Sequence, residues 1–164
     1  MAVSEVEKLD IRSHCMPGPK PLLVVTVGLP RSGKSTWARL TGWTVVNPDM
    51  VRLAFQNRPF IQETETWIWS IVRVMVKSLV LAGNTPIVID ATHTTMARRR
   101  EWFPCELWNT MYRIFPVGVE ECKTRAYADG REDLIGVIDK MAAEWEPPGT
   151  AIPWYPGNTA VWRP

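Results

Sequence analysis

Two rhythms of hydrophobic residues run along the chain. Leu22-Leu23-Val24-Val25-Thr26-Val27 is an unbroken, mostly β-branched run with proline before it and glycine after it. Such a run, without polar alternation, predicts a strand covered on both faces and therefore a parallel sheet. Shorter runs of the same kind are Thr44-Val45-Val46-Asn47 and Pro86-Ile87-Val88-Ile89-Asp90, and a fourth, Met111–Val117, carries Arg113 and Pro116. Between the runs the period changes to three or four. Lys34 to Thr41 sets Trp37 and Leu40 on one face. From Glu63 to Ala82, apolar residues from Trp67 to Val80 recur at helical spacing before a Gly83-Asn84 stop. Further helices are predicted over Met96–Phe103, capped by Thr92 or Thr94, over Glu120–Ala126 and over Glu132–Trp145. Repeated strand, helix, strand order predicts an α/β fold of about four parallel strands flanked by helices. Residues 1–21 read as an extended lead-in, residues 22–148 as one domain, and residues 149–164 as a Pro/Trp-rich segment packed on it.

Composition narrows the setting more than the chemistry. With 164 residues, 46% hydrophobic and 22% charged, the chain has enough apolar material for a core without disulfides or a structural metal. Cys15, Cys105 and Cys122 are scattered and lack C-x-x-C spacing, which argues against a disulfide framework and a zinc ribbon. Arg73, Lys77 and Asp90 interrupt the longest apolar runs, so no membrane span is expected and the cytosol is the simplest location. A net charge of only +2 leaves any nucleic-acid contact to a local basic groove. Nine tryptophans and fourteen prolines are high counts. Trp37, Trp67 and Trp102 fall inside predicted helices and are expected in the core, while five of the prolines lie in the tail from Glu146.

The candidate chemistry begins where the first strand ends. Gly28-Leu29-Pro30-Arg31-Ser32-Gly33-Lys34-Ser35 satisfies G-x-x-x-x-G-K-[ST] and joins a buried strand to a helix. Glycines let successive backbone N–H groups converge on a phosphate, and the helix N-terminus adds about half a positive charge. Lys34 brings a full charge to the β- and γ-phosphates of a nucleotide, and the Ser35 hydroxyl suits Mg²⁺. Gly28 through Ser35, with Thr36, form the expected ATP-binding set.

A phosphate loop does not name the acceptor, and Asn47-Pro48-Asp49-Met50-Val51-Arg52 bears on that. Asp49 and Arg52, three apart on a first helical turn, share a face, and a carboxylate is the usual base for an attacking alcohol. The plainer alternative is a capping aspartate with a solvated arginine. Together with Gly28 to Ala38, this segment resembles the kinase domain of phage-type polynucleotide kinases, among the small P-loop kinases that include zeta-toxin-like enzymes. The resemblance implies a P-loop kinase fold with a helical lid. It assigns Asp49 as general base and gives Arg52 a phosphate near the hydroxyl or in transfer. Val88-Ile89-Asp90-Ala91-Thr92-His93 resembles the family's third-strand segment. By that likeness Asp90 holds a magnesium-bound water or orients Lys34, Ser35 or Arg52, and His93 stands where asparagine is common. Arg98-Arg99-Arg100 resembles the family's basic helix, of which one or two members, with Arg98 and Arg99 named, touch a backbone phosphate; a solvated basic face is the alternative. In the lid, Arg125 matches best, and Arg131 is the candidate second arginine, displaced by Asp129-Gly130.

The resemblance implies an ATP- and Mg²⁺-dependent kinase acting on a hydroxyl of a nucleic acid, DNA ahead of RNA, in the host cytoplasm if the chain is phage-encoded. The 5′-hydroxyl is the simplest acceptor. A hydroxymethylated base such as 5-hydroxymethyluracil in phage DNA, a small molecule, and a non-catalytic nucleotide-binding module are the alternatives.

Overall fold

A computed structural model describes residues 19–58 and 60–148. The reading of residues 1–18 and of the tryptophans and prolines beyond 148 lies outside the described residues. The β-branched run forms β1 (Leu22–Val27), whose side chains alternate between two buried faces. Leu23, Val25 and Val27 enter one core with Ile68, Val72, Val76, Val80 and Trp102, while Val24 enters another with Ala38 and Val88. Both faces are covered, which is why the run shows no polar alternation.

The other strands are β2 (Thr44–Val46), β3 (Ile87–Ile89) and β4 (Asn109–Ile114), in the parallel order β2-β3-β1-β4. The helices are α1 (Lys34–Leu40), α2 (Pro48–Gln56), α3 (Glu65–Leu81), α4 (Met96–Arg100), α5 (Val119–Ala128) and α6 (Ile135–Ala143). The α/β sheet with flanking helices is therefore the architecture expected. α3 makes the largest helical contribution to the core, because Ile68, Val72, Val76 and Val80 repeat every fourth residue. Each such buried side chain contributes about 1.5–3 kcal/mol. Trp67 does not join them. It is 69% exposed, one residue out of register with that stripe, which corrects its placement in the core; Trp102 is buried as expected.

Several boundaries move for local reasons. β4 starts two residues earlier than read, where the Asn109 amide bonds the Pro21 carbonyl, and its ladder ends near Phe115 because Pro116 has no N–H to give. α4 stops at Arg100 instead of Phe103, four residues before Pro104. The helices read from Glu63 and Glu132 each begin with a 3₁₀ turn, Gln62–Thr64 and Glu132–Leu134.

Three links gather the carboxyl ends of the strands. The Thr26 hydroxyl bonds the carbonyls of Ile89 (3.2 Å) and Ala91 (2.7 Å), and the Gly28 amide donates to the Thr92 carbonyl at 3.0 Å. The Asp90 amide donates to Val46 at 3.0 Å. The loops after β1, β2 and β3 thus meet at one edge, where parallel sheets hold their ligands.

Candidate active site

The loop between β1 and α1 is shaped by two glycines. A Cβ at Gly28 would sit 2.7 Å from the Ser32 hydroxyl and 3.1 Å from the Phe115 carbonyl, and Gly33 has φ 94°, which favours glycine. Lys34 folds back across the loop and donates to the Leu29 carbonyl at 2.5 Å and the Ser32 hydroxyl at 3.2 Å. Lys34 is 6% exposed, and burial pushes its ammonium down to about 8 against the opposing pull of Asp90, Cys122 and Asp49. Beside it opens a cavity of about 510 Å³ whose lining includes Arg31, Lys34, Ser35, Thr36, Arg39 and Arg125. Ser35 and Thr36 are exposed to it, whereas the Leu29 side chain is buried against α5 and α6, so Leu29 offers only backbone.

Asn47 ties the second strand to the third. Its side-chain oxygen caps α2 by accepting from the amides of Asp49 (2.8 Å) and Met50 (3.2 Å), and its nitrogen donates to Asp90 Oδ2 at 2.7 Å. The other Asp90 oxygen is buried and has no hydrogen-bond partner among the described residues. No group of three or more His, Cys, Asp or Glu gathers there among those residues. A hydroxyl, one carboxylate with an orphaned oxygen and room for phosphates is a donor set suited to Mg²⁺, which keeps waters and substrate oxygens instead of a full protein cage.

On the facing side, Asp49 is largely solvent-exposed, and Arg52 is almost buried beside it. Arg52 donates to Asp49 Oδ1 at 2.5 Å and, through Nε and Nη2, to both oxygens of Glu65 at 2.7 Å. These acidic partners hold the guanidinium above its ordinary value despite desolvation. Glu65 also accepts from the Trp69 indole at 3.2 Å. The plainer expectation of a solvated Arg52 is therefore wrong: it is a fixed bridge between two carboxylates. Glu65 escaped the sequence reading, since an acidic residue opening a helix signals only a favourable dipole. Its one hint is Trp69, four residues on.

The two arginines expected in a lid lie in different surroundings. Arg125 lines the cavity, reaches the Arg31 carbonyl at 3.2 Å and pairs with Glu121. Arg31 itself pairs with Asp129 from the end of α5. Arg131 forms a bidentate pair with Asp133 (2.8 and 2.7 Å), and the Asp49 charge is among the forces that raise it.

Two expected nucleic-acid contacts need correction. His93 is 1% exposed, stands at φ 43° and hydrogen-bonds through Nδ1 to the Thr26 carbonyl at 2.9 Å. Burial pushes it down to about 4, so it is neutral. Arg99 is equally buried and donates to the carbonyls of His93 (2.8 Å) and Glu146 (2.7 Å). Both are braces inside the protein, with no face toward a ligand. Arg98 is exposed, with its guanidinium 3.5 Å from the Thr92 hydroxyl at the mouth of the site.

The profile of a family described as an AAA domain matches residues 23–144. The chain belongs to the AAA domain family. This AAA domain has a P-loop kinase-like fold, and the solved structures similar to it include kinases. One chain of the structure titled "Structure of the Pnkp1/Rnl/Hen1 RNA repair complex" aligns at 24% identity and TM-score 0.61, over 79% of this chain and 47% of that one. A second structure of a Pnkp1/Rnl/Hen1 complex aligns at 30% identity and TM-score 0.58, over 67% and 40%. The AAA domain thus spans less than half the length of those two chains. A gluconokinase from Sinorhizobium meliloti 1021 aligns at 17% identity and TM-score 0.54, over 82% and 81% of the two chains. No curated protein sequence matches. No helix among the described residues is long and apolar enough to cross a membrane.

Proposed function

We propose that the protein is an ATP- and Mg²⁺-dependent kinase that transfers the γ-phosphate to a hydroxyl on a nucleic acid, most simply the 5′-hydroxyl of DNA or RNA. The observation that carries this reading is the arrangement of Asp49: exposed to an incoming alcohol, fixed by Arg52, and placed on the helix whose cap Asn47 also bonds Asp90 at the end of β3. Asp49 takes the proton as the alcohol oxygen forms its bond to the γ-phosphorus. The bond from that phosphorus to the β,γ-bridging oxygen breaks, and ADP leaves. Lys34 shifts from its contacts with Leu29 and Ser32 to the phosphates, and Arg125 faces the charge that spreads over the transferring group. Ser35 and, through water, Asp90 would hold Mg²⁺, which would supply neutralising charge for the phosphates. Arg98 supplies positive charge for acceptor phosphates, while Arg52 holds Asp49 in place.

A nucleic-acid acceptor draws support from the repair-complex structures, the more similar in sequence of the three reported. A small-molecule acceptor draws support from the gluconokinase, which the chain matches over most of both lengths. Transfer of label from γ-labelled ATP to an acceptor panel separates the readings. Labelling of a 5′-hydroxyl oligonucleotide, with gluconate and nucleosides blank, is expected. Labelling only of gluconate or another small alcohol would move the acceptor to that class, and labelling only of a duplex with hydroxymethyl bases would move it to a base. A panel with no labelled member would sink the kinase reading.

A further inference from the structure

The surface around Asp49 is unlike the rest of the site. Met50 beside it and Leu53 one turn on are 64% and 47% exposed, and Phe60, in the connection from α2 to α3, is 59% exposed. Helical spacing sets Asp49 and Leu53 on one face, so apolar groups flank the carboxylate. Phe60 is not adrift. The Arg52 guanidinium lies over its ring at 5.8 Å from the centroid, and Arg52 is pinned at its edges by Asp49 and Glu65. One buried arginine therefore fixes the general-base candidate and an aromatic ring relative to each other, while most of that ring stays in water.

We propose that Phe60 is a stacking platform for the base of the acceptor nucleotide that bears the reacting hydroxyl. This rests on the nucleic-acid reading of the acceptor and names how the acceptor is held. A flat heteroaromatic ring joined through one sugar to the attacking hydroxyl gains from Phe60, Met50 and Leu53; a polyol or sugar acid gains nothing from them. The donor side gives the contrast, since among the described residues its cavity is lined mainly by charged and hydroxyl side chains, with no aromatic ring.

The test compares two oligonucleotides of equal length, one with an ordinary 5′ nucleoside and one whose 5′ nucleoside lacks its base. Base stacking on an aromatic side chain is worth about 5- to 100-fold in affinity, so the wild-type KM for the abasic acceptor should rise by that factor with the KM for ATP unchanged. Phe60→Ala should raise the KM for the ordinary acceptor to the abasic level and erase the discrimination, and Phe60→Trp should retain it. Equal wild-type KM values for the two acceptors, or discrimination that survives in Phe60→Ala, would overturn the platform while leaving the kinase reading intact. Failure of wild type to label either oligonucleotide would instead overturn the nucleic-acid reading and the platform with it. If the alanine variant is unstable, Phe60→Leu, which keeps apolar bulk without the ring, should lose the discrimination in the same way, and retention of full discrimination by it would overturn the platform.

Discussion

On the proposed reaction, the donor and acceptor halves of the site are made of different material. The donor half is mostly backbone: a loop turned by Gly28 and Gly33, a helix N-terminus, and one lysine laid across them. The acceptor half is mostly side chain: Asp49, Arg52 and Glu65 hold one another by charge-assisted hydrogen bonds, with Phe60 stacked against the arginine. A backbone cradle depends on which φ angles and close approaches its residues permit. A side-chain network depends on every partner, so losing one releases the rest. The first suits a phosphate, whose geometry never varies, and the second suits an acceptor that differs among kinases of one fold.

The contrast breaks most visibly at Lys34. Lys34→Ala should lower transfer by about 10²–10³-fold, because it removes the ammonium that lies across the loop beside the cavity; turnover with saturating acceptor checks it. Gly28→Ala should act on the backbone itself. Its Cβ meets the Phe115 carbonyl and the Ser32 hydroxyl, so stability should fall by about 1–3 kcal/mol, read by urea denaturation, with weaker nucleotide binding. On the other half, Glu65→Gln should lower transfer by about 10-fold or more by freeing Arg52, since hydrogen bonds to charged groups are worth about 1.5–3 kcal/mol, and should leave ATP affinity unchanged. If Glu65→Gln weakens ATP binding as much as transfer, the two halves are not separable.

Protonation sharpens the same division. Lys34 without nucleotide titrates near 8, and phosphates must favour its charged form. Binding at pH 9 should therefore take up a proton, measured by calorimetry in buffers of different ionisation enthalpy, and affinity should fall as pH rises above 8. His93 gives a smaller, purely structural signal. Its folded value of about 4 lies below the unfolded 6.5, so the unfolded chain binds the extra proton and stability is lost as pH falls from 6.5 toward 4. The full loss is about 3 kcal/mol. His93→Asn, which suits the left-handed backbone there, should flatten that slope in urea titrations.

What the sequence reveals of this site follows how local each part is. The phosphate loop, Ser35, Asp49 and Arg52 are legible because each motif is contiguous and lies at a strand end, where the sheet places it. Glu65 and Phe60 are silent because only the packing of α3 against α2 brings them to Arg52, and nothing in their own neighbourhoods marks them. His93 and Arg99 mislead for the opposite reason. A polar residue near a strand end reads as solvent-facing, but three successive arginines on a one-turn helix cannot all face outward, and Arg99 is the one turned in toward the Glu146 carbonyl. Trp67 errs through a one-residue phase: the apolar stretch of α3 is wider than its buried stripe, and only the stripe meets the sheet.

The claim that joins the halves is that Asp49 removes the proton from an acceptor held opposite the phosphate loop. Its most direct test is the transfer of labelled γ-phosphate to a 5′-hydroxyl oligonucleotide by wild type and by Asp49→Asn, with ATP affinity measured on the same samples. A loss of about 10²–10⁴-fold in transfer with ATP affinity within twofold of wild type is expected. Equal transfer by the two proteins would contradict the account.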